Sequence, residues 1–185
     1  MSTSQTLVLR SERVMDAAAL LRQMYAQAHS WLEATIGDLN SEQLHWCEAE
    51  GALPVAAHYA HIVAGEDFIL NMTVRGAQPL LMSSWAGKTG LSELPPMGDW
   101  GAWGRTVQMD LPQFQAYAKA VFAETDAYLG SLTGADLDRE IDTTPLPFGK
   151  TTVGALASIM CSNVLLHTGE ISTVKGLQGL KGYPF

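Results

Sequence analysis

The chain has 185 residues, 47% of them apolar, and a formal charge of −8 with 11 Lys and Arg. One substantial core is within reach, so a single domain over residues 1–185 is expected. The scattered basic residues cannot form a phosphate-tracking surface, which excludes nucleic-acid binding. No apolar run approaches the roughly 20 residues of a membrane span, and the opening MSTSQTLVLRSERVMD lacks the basic and apolar regions of a signal peptide. Cys47 and Cys161 are too few for a disulfide framework, so a reduced, cytoplasmic protein with no membrane partner is expected.

The first helical pattern runs from Ser11 to Ile36. Val14, Ala17, Leu21, Met24, Ala28 and Trp31 recur at spacings of three and four, Ala18, Tyr25, Leu32 and Ile36 widen the stripe, and Gly37 is a plausible stop. The second begins near Pro54, a residue suited to a first helical turn, and runs to Gly76. Its apolar residues (Val55, Tyr59, Ile62, Val63, Phe68, Ile69 and Leu70) go nearly all the way round, the pattern of a helix buried on most sides. The stretch Ala77 to Met109 is then rich in Gly, Pro and Trp. Trp85, Trp100 and Trp103 argue for a folded crossover with a short helix around Asp99 to Val107, either a docked connector or a lid over a pocket.

The third helix opens with Asp110-Leu111-Pro112-Gln113, an acidic N-cap, an early proline and a glutamine at the third helical position. Phe114, Tyr117, Val121, Thr125, Tyr128 and Leu132 mark its inner face. Arg139 to Thr151, with Pro145, Pro147 and Gly149, reads as a turn or short hairpin. The fourth helix runs from Val153 to Gly176 on the seam Val153, Ala157, Met160, Val164, His167, Ile171 and Val174. These patterns define an all-α, up-down four-helix bundle with a long crossover between its second and third helices.

The fourth seam is broken by polarity. His167 stands where Leu or Ile is expected, Asn163 lies one turn before it and Glu170 three residues after, all within roughly 60° at about 100° per residue. Such groups need partners once buried. His58 and His61, three apart on the second helix, share a face and are followed by Glu66 and Asp67. Imidazoles from two helices pointing into one pocket is how metal sites in bundles are built; a hydrogen-bonded core network is the alternative. His29 and His45 sit beside polar residues and read as surface histidines. Cys161 points roughly 200° from Asn163 and reads as a packed thiol, and no basic neighbour activates Cys47. Gly176, Gly179 and Gly182 follow no strand and open no helix, so they form no phosphate loop; a helix cap and a tail folding back through Tyr183 and Phe185 are expected.

The segment His167-Thr168-Gly169-Glu170-Ile171, followed by Lys175-Gly176-Leu177-Gln178-Gly179, resembles the end of the DinB-like superfamily. His61-Ile62-Val63-Ala64-Gly65-Glu66-Asp67 resembles that family's second helix, and Trp31 to Trp46 its first helix and the turn after it. The resemblance implies a bundle, often a homodimer, with a divalent metal such as zinc or nickel held by one histidine on helix two and two on helix four. Carried onto this chain, those positions are His61, His167 and Asn163. An amide oxygen is a poorer ligand than imidazole, so weak or absent metal binding is expected unless His58 or Glu170 contributes. Relatives include transferases that use a low-molecular-weight thiol, which makes a small-molecule thiol the expected partner. The alternative is a non-catalytic dimeric bundle whose degenerate metal site binds a small molecule.

Overall fold

The computed structural model describes residues 15–37, 39–48, 51–96, 98–144 and 146–185. The opening segment through Val14 and the hairpin residue Pro145 lie outside the described residues.

Helix α1 (Ala17–Ile36) starts where the Asp16 carboxylate accepts from the Ala19 amide at 2.8 Å, satisfying a donor the helix leaves unpaired. Its buried face is Ala18, Leu21, Tyr25, Ala28, Leu32 and Ile36, the flank of the expected stripe rather than its centre. Met24 and Trp31 are exposed because α1 packs between two other long helices that cover that flank. The short α2 (Ser41–His45) is closed by a reciprocal capping box between Asn40 and Gln43. His45 is half-buried, not a surface residue. Its Nδ1 donates to the Ser41 carbonyl at 2.7 Å and its Nε2 accepts from the Met109 amide at 2.9 Å, which fixes the neutral tautomer.

Pro54 caps α3 (Val55–Glu66) instead of entering its first turn. The helix is buried nearly all round, as its composition requires. Its continuation, Asp67–Val74, is π-helical, a change of hydrogen-bond register that the three-four pattern does not announce. A folded crossover follows, with a 3-10 turn at Leu80–Met82, helix α4 at Gly101–Thr106 and an antiparallel bridge between Leu91 and Met109. Gly104 is what lets α4 lie on α3, since a Cβ there would stand 3.0 Å from the Ala57 Cβ and 3.1 Å from Leu53.

Helix α5 (Leu111–Ser131) is capped by Asp110, which accepts from the Gln113 amide at 3.1 Å. It buries Phe114, Tyr117, Ala118, Val121, Thr125 and Leu129, while Tyr128 is half-buried. After the single turn α6 (Gly134–Leu137), strands β1 (Glu140–Asp142) and β2 (Lys150–Thr152) pair antiparallel with Ile141 opposite Thr151, the expected hairpin. Helix α7 (Val153–Leu177) completes the molecule. It lies against α1 and α3, and α5 lies against α1 and more lightly α3, so the four long stripes do assemble into the four-helix bundle. The tail returns along α7: a Cβ on Gly182 would collide with Ser172, and the Phe185 ring lies 5.5 Å from that of Trp31.

Asp67 holds the crossover to this frame. Its fully buried carboxylate accepts from the Leu80 and Leu81 amides, both at 2.9 Å, from Asn71 Nδ2 at 2.7 Å and from the Tyr117 hydroxyl at 2.8 Å. Asp67→Ala leaves those donors unpaired at roughly 1–3 kcal/mol each. Urea denaturation of that variant is expected to show a loss of at least about 3 kcal/mol.

Candidate metal centre

One face of α3 and one face of α7 meet at an open cleft of about 1010 Å³. The spacing 58–61 puts two imidazoles on adjacent turns of α3, and the spacing 167–170 does the same for an imidazole and a carboxylate on α7. Ligand-type atoms of His58, His167 and Glu170 all lie within 4.8 Å of one another. Both histidines approach the same carboxylate oxygen through Nδ1: His58 at 3.1 Å from Glu170 Oε2, and His167 in a short contact with it. His61 adjoins the group, its ring 4.6 Å from that of His167. The His61 and Trp100 rings also pack edge to face, their centroids 4.6 Å apart, so the crossover supplies a wall of the cleft.

Burial lowers the His61 pKa to about 4, with the neighbouring His167 and His58 pushing the same way. Burial also lowers His58, against the pull of Glu170. Neutral imidazole is the form that ligates metal. His58, His167 and Glu170, with His61 beside them at an open cleft, form a group of the donor types that hold a divalent transition metal. The residues present fit such an ion.

The structure therefore gathers four of the five residues singled out in the sequence. His58 shares the Glu170 oxygen with His167, while the ring nearer to His167 is that of His61, at 4.6 Å against 5.6 Å. Asn163 is half-buried and is not among the residues lining the cleft.

A polar centre that sequence reasoning missed lies in the core. His29 is buried, not on the surface: its Nε2 stands 2.9 Å from Glu66 Oε2, and its ring stacks on Phe122 at 3.7 Å. The Thr125 hydroxyl donates to Glu66 Oε1 at 2.5 Å. The signal was available, because His29 falls four residues after Tyr25 on the face that α1 buries. Leaving a buried polar group without its hydrogen-bond partner costs on the order of 1–3 kcal/mol. His29→Ala is expected to lose stability of that order in chemical denaturation.

A helical bundle that brings imidazoles from two helices and one carboxylate to an open cleft has the architecture of a bundle metalloprotein. The sequence model of the DinB superfamily matches residues 23–171, and the chain belongs to that family. Among solved structures, a conserved protein from Enterococcus faecalis superposes with a TM-score of 0.71 at 20% identity, over 90% of this chain and 99% of that one. YfiT from Bacillus subtilis, described as a probable metal-dependent hydrolase with an unusual four-helix bundle topology, superposes with a TM-score of 0.61 at 16% identity, over 97% of this chain and 95% of that one. At these identities the likeness is one of fold. No curated protein sequence matches the chain.

Proposed function

We propose that the chain is a divalent-metal-dependent enzyme that joins a small nucleophile, a low-molecular-weight thiol, to an electrophilic small molecule in the cleft. The observation that carries this is the convergence of His58, His167 and Glu170 within 4.8 Å, with His61 beside them. When bound there, a divalent ion would supply Lewis-acid chemistry, polarising the electrophile and lowering the pKa of the nucleophile. The protein's own part is to hold two imidazoles by their Nδ1 atoms on one carboxylate and to shield one side of the site with Trp100. A cleft of about 1010 Å³ is at the upper end of ligand-pocket sizes and has room for a thiol and its acceptor together. YfiT's description as a probable metal-dependent hydrolase supports the same chemistry with water in place of the thiol.

Calorimetric titration of zinc or nickel into chelator-treated protein tests this. One ion per chain is expected, and Glu170→Gln is expected to weaken binding by about 10–100-fold. Because Glu170 is 54% exposed, its loss should leave the melting temperature almost unchanged. In the cobalt-loaded protein, a thiol that enters the site should produce a thiolate-to-metal charge-transfer band. Wild-type protein that takes up no ion would reject the proposal.

A second reading, a non-catalytic bundle, is favoured by Glu170 itself, which already satisfies both imidazoles without an ion. Exposed Leu20, Met24, Ile159 and Leu166 would then serve a second copy of the chain as an apolar face. His58→Ala separates the two. On the first reading it lowers metal affinity and the metal-dependent rise in melting temperature. On the second, calorimetry shows no metal uptake to lose.

A further inference from the structure

The histidine cleft does not end at Trp100. A second cavity of about 610 Å³ begins on the other side of that residue, and Gly98 and Trp100 belong to both. The two are joined along one stripe of α3 and its π-helical continuation. His58 and His61 are followed at spacings of four, three and four by Gly65, Phe68 and Met72, the last three lining the second cavity. The stripe is polar at the cleft and apolar beyond it. Pro95 and Pro96 of the crossover and Leu146 of the β1–β2 turn close the far wall.

Two features say what this cavity accepts. The first is Gly65. Glycine inside a helix is unfavourable relative to alanine, and no packing demands it here: the nearest atom to an added Cβ is the Met160 Cε, 4.0 Å away. Gly65 lines the cavity, so a large side chain there would take up part of that space. The second is charge. The carboxylate among the lining residues is Asp142, whose pKa is lowered by hydrogen bonds from Thr144, the backbone amide first. It stays ionised near neutrality and repels anions.

We infer that this second cavity binds the apolar part, an aromatic ring or short alkyl group, of a ligand without negative charge whose reacting end lies among His58, His61 and His167. It rests on the proposed enzyme only for the position of that reacting end. The apolar half stands by itself, because it follows from a lining of Phe, Met, Pro and Leu at a volume typical of small-molecule sites. The irregular π-helical register on one wall is of the kind that recurs at functional sites.

The test uses metal-stripped protein and N-phenyl-1-naphthylamine, an uncharged apolar fluorophore. Saturable binding is expected, tighter than that of the sulfonated anionic analogue 1-anilinonaphthalene-8-sulfonate. Gly65→Leu, which fills the cavity from the helix side, should weaken it by roughly tenfold or more. Leu146→Trp narrows the cavity from the half-buried opposite wall and gives the same result independently should Gly65→Leu fold poorly. Absence of saturable binding to the wild type overturns the inference, as does unchanged affinity in both variants with their helical circular dichroism intact. Saturable, variant-sensitive binding in a protein that takes up no metal upholds the cavity and rejects the metal reading of the cleft.

Discussion

Two consecutive carboxylates at the end of α3 hold this structure together. Glu66 and Asp67 are both almost wholly buried, at the end of a helix whose other residues, His58 and His61 apart, are small, aromatic or apolar. A buried charge is tolerated only when hydrogen bonds replace its lost hydration, and adjacent helical positions point about 100° apart. The two carboxylates therefore draw on different neighbours. Glu66 takes its donors from α1 and α5, through His29 and Thr125. Asp67 takes two backbone amides from the crossover, the Tyr117 hydroxyl from α5 and the Asn71 amide from its own helix. Between them they tie α3 to α1, to α5 and to the chain that leaves it. Rotation of α3 would break both sets at once, and the face carrying His58 and His61 is oriented by that constraint.

The same constraint explains why the crossover belongs to the site. Fixing Leu80 and Leu81 on Asp67 sets where the long connection begins, and the Met109 amide on His45 sets where it ends. Gly104 allows α4 to settle directly on Ala57 and Leu53. With both ends and the middle held, Trp100 is delivered to the edge of His61. The aromatic wall makes the imidazoles less solvated than side chains on a groove surface, and burial is the largest cause of the low His61 pKa.

The bundle was legible because its helices obey a three-four period and carry caps with clear chemistry, Asp110 before Leu111-Pro112 being the plainest. The rotation of α1 was less so. A stripe wide enough to include both Met24 and Tyr25 does not say which edge faces inward until the neighbouring helices are placed. The π-helical turn left no trace, since its residues continue the apolar pattern. Polar residues in the core were misjudged for a different reason. His29 and Glu66 are 37 positions apart, and a pairing at that distance has no local signature, whereas His167 and Glu170 are neighbours on one helix. His45 was misread for the same reason, as its second partner is the distant Met109.

Asn163 shows why sequence position alone does not decide which donor groups meet. The family resemblance leads to imidazoles at 61, 163 and 167, and replacing the middle one by an amide removes a ligand if sequence position is all that counts. In space, α3 offers a further imidazole. His58 stands one turn before His61, and it reaches the same Glu170 oxygen as His167. Three imidazoles and a carboxylate line the cleft, two of the imidazoles on α3 and one on α7. The pair on α3 stands on the helix that the buried carboxylates fix most firmly, and position 163 does not line the cleft.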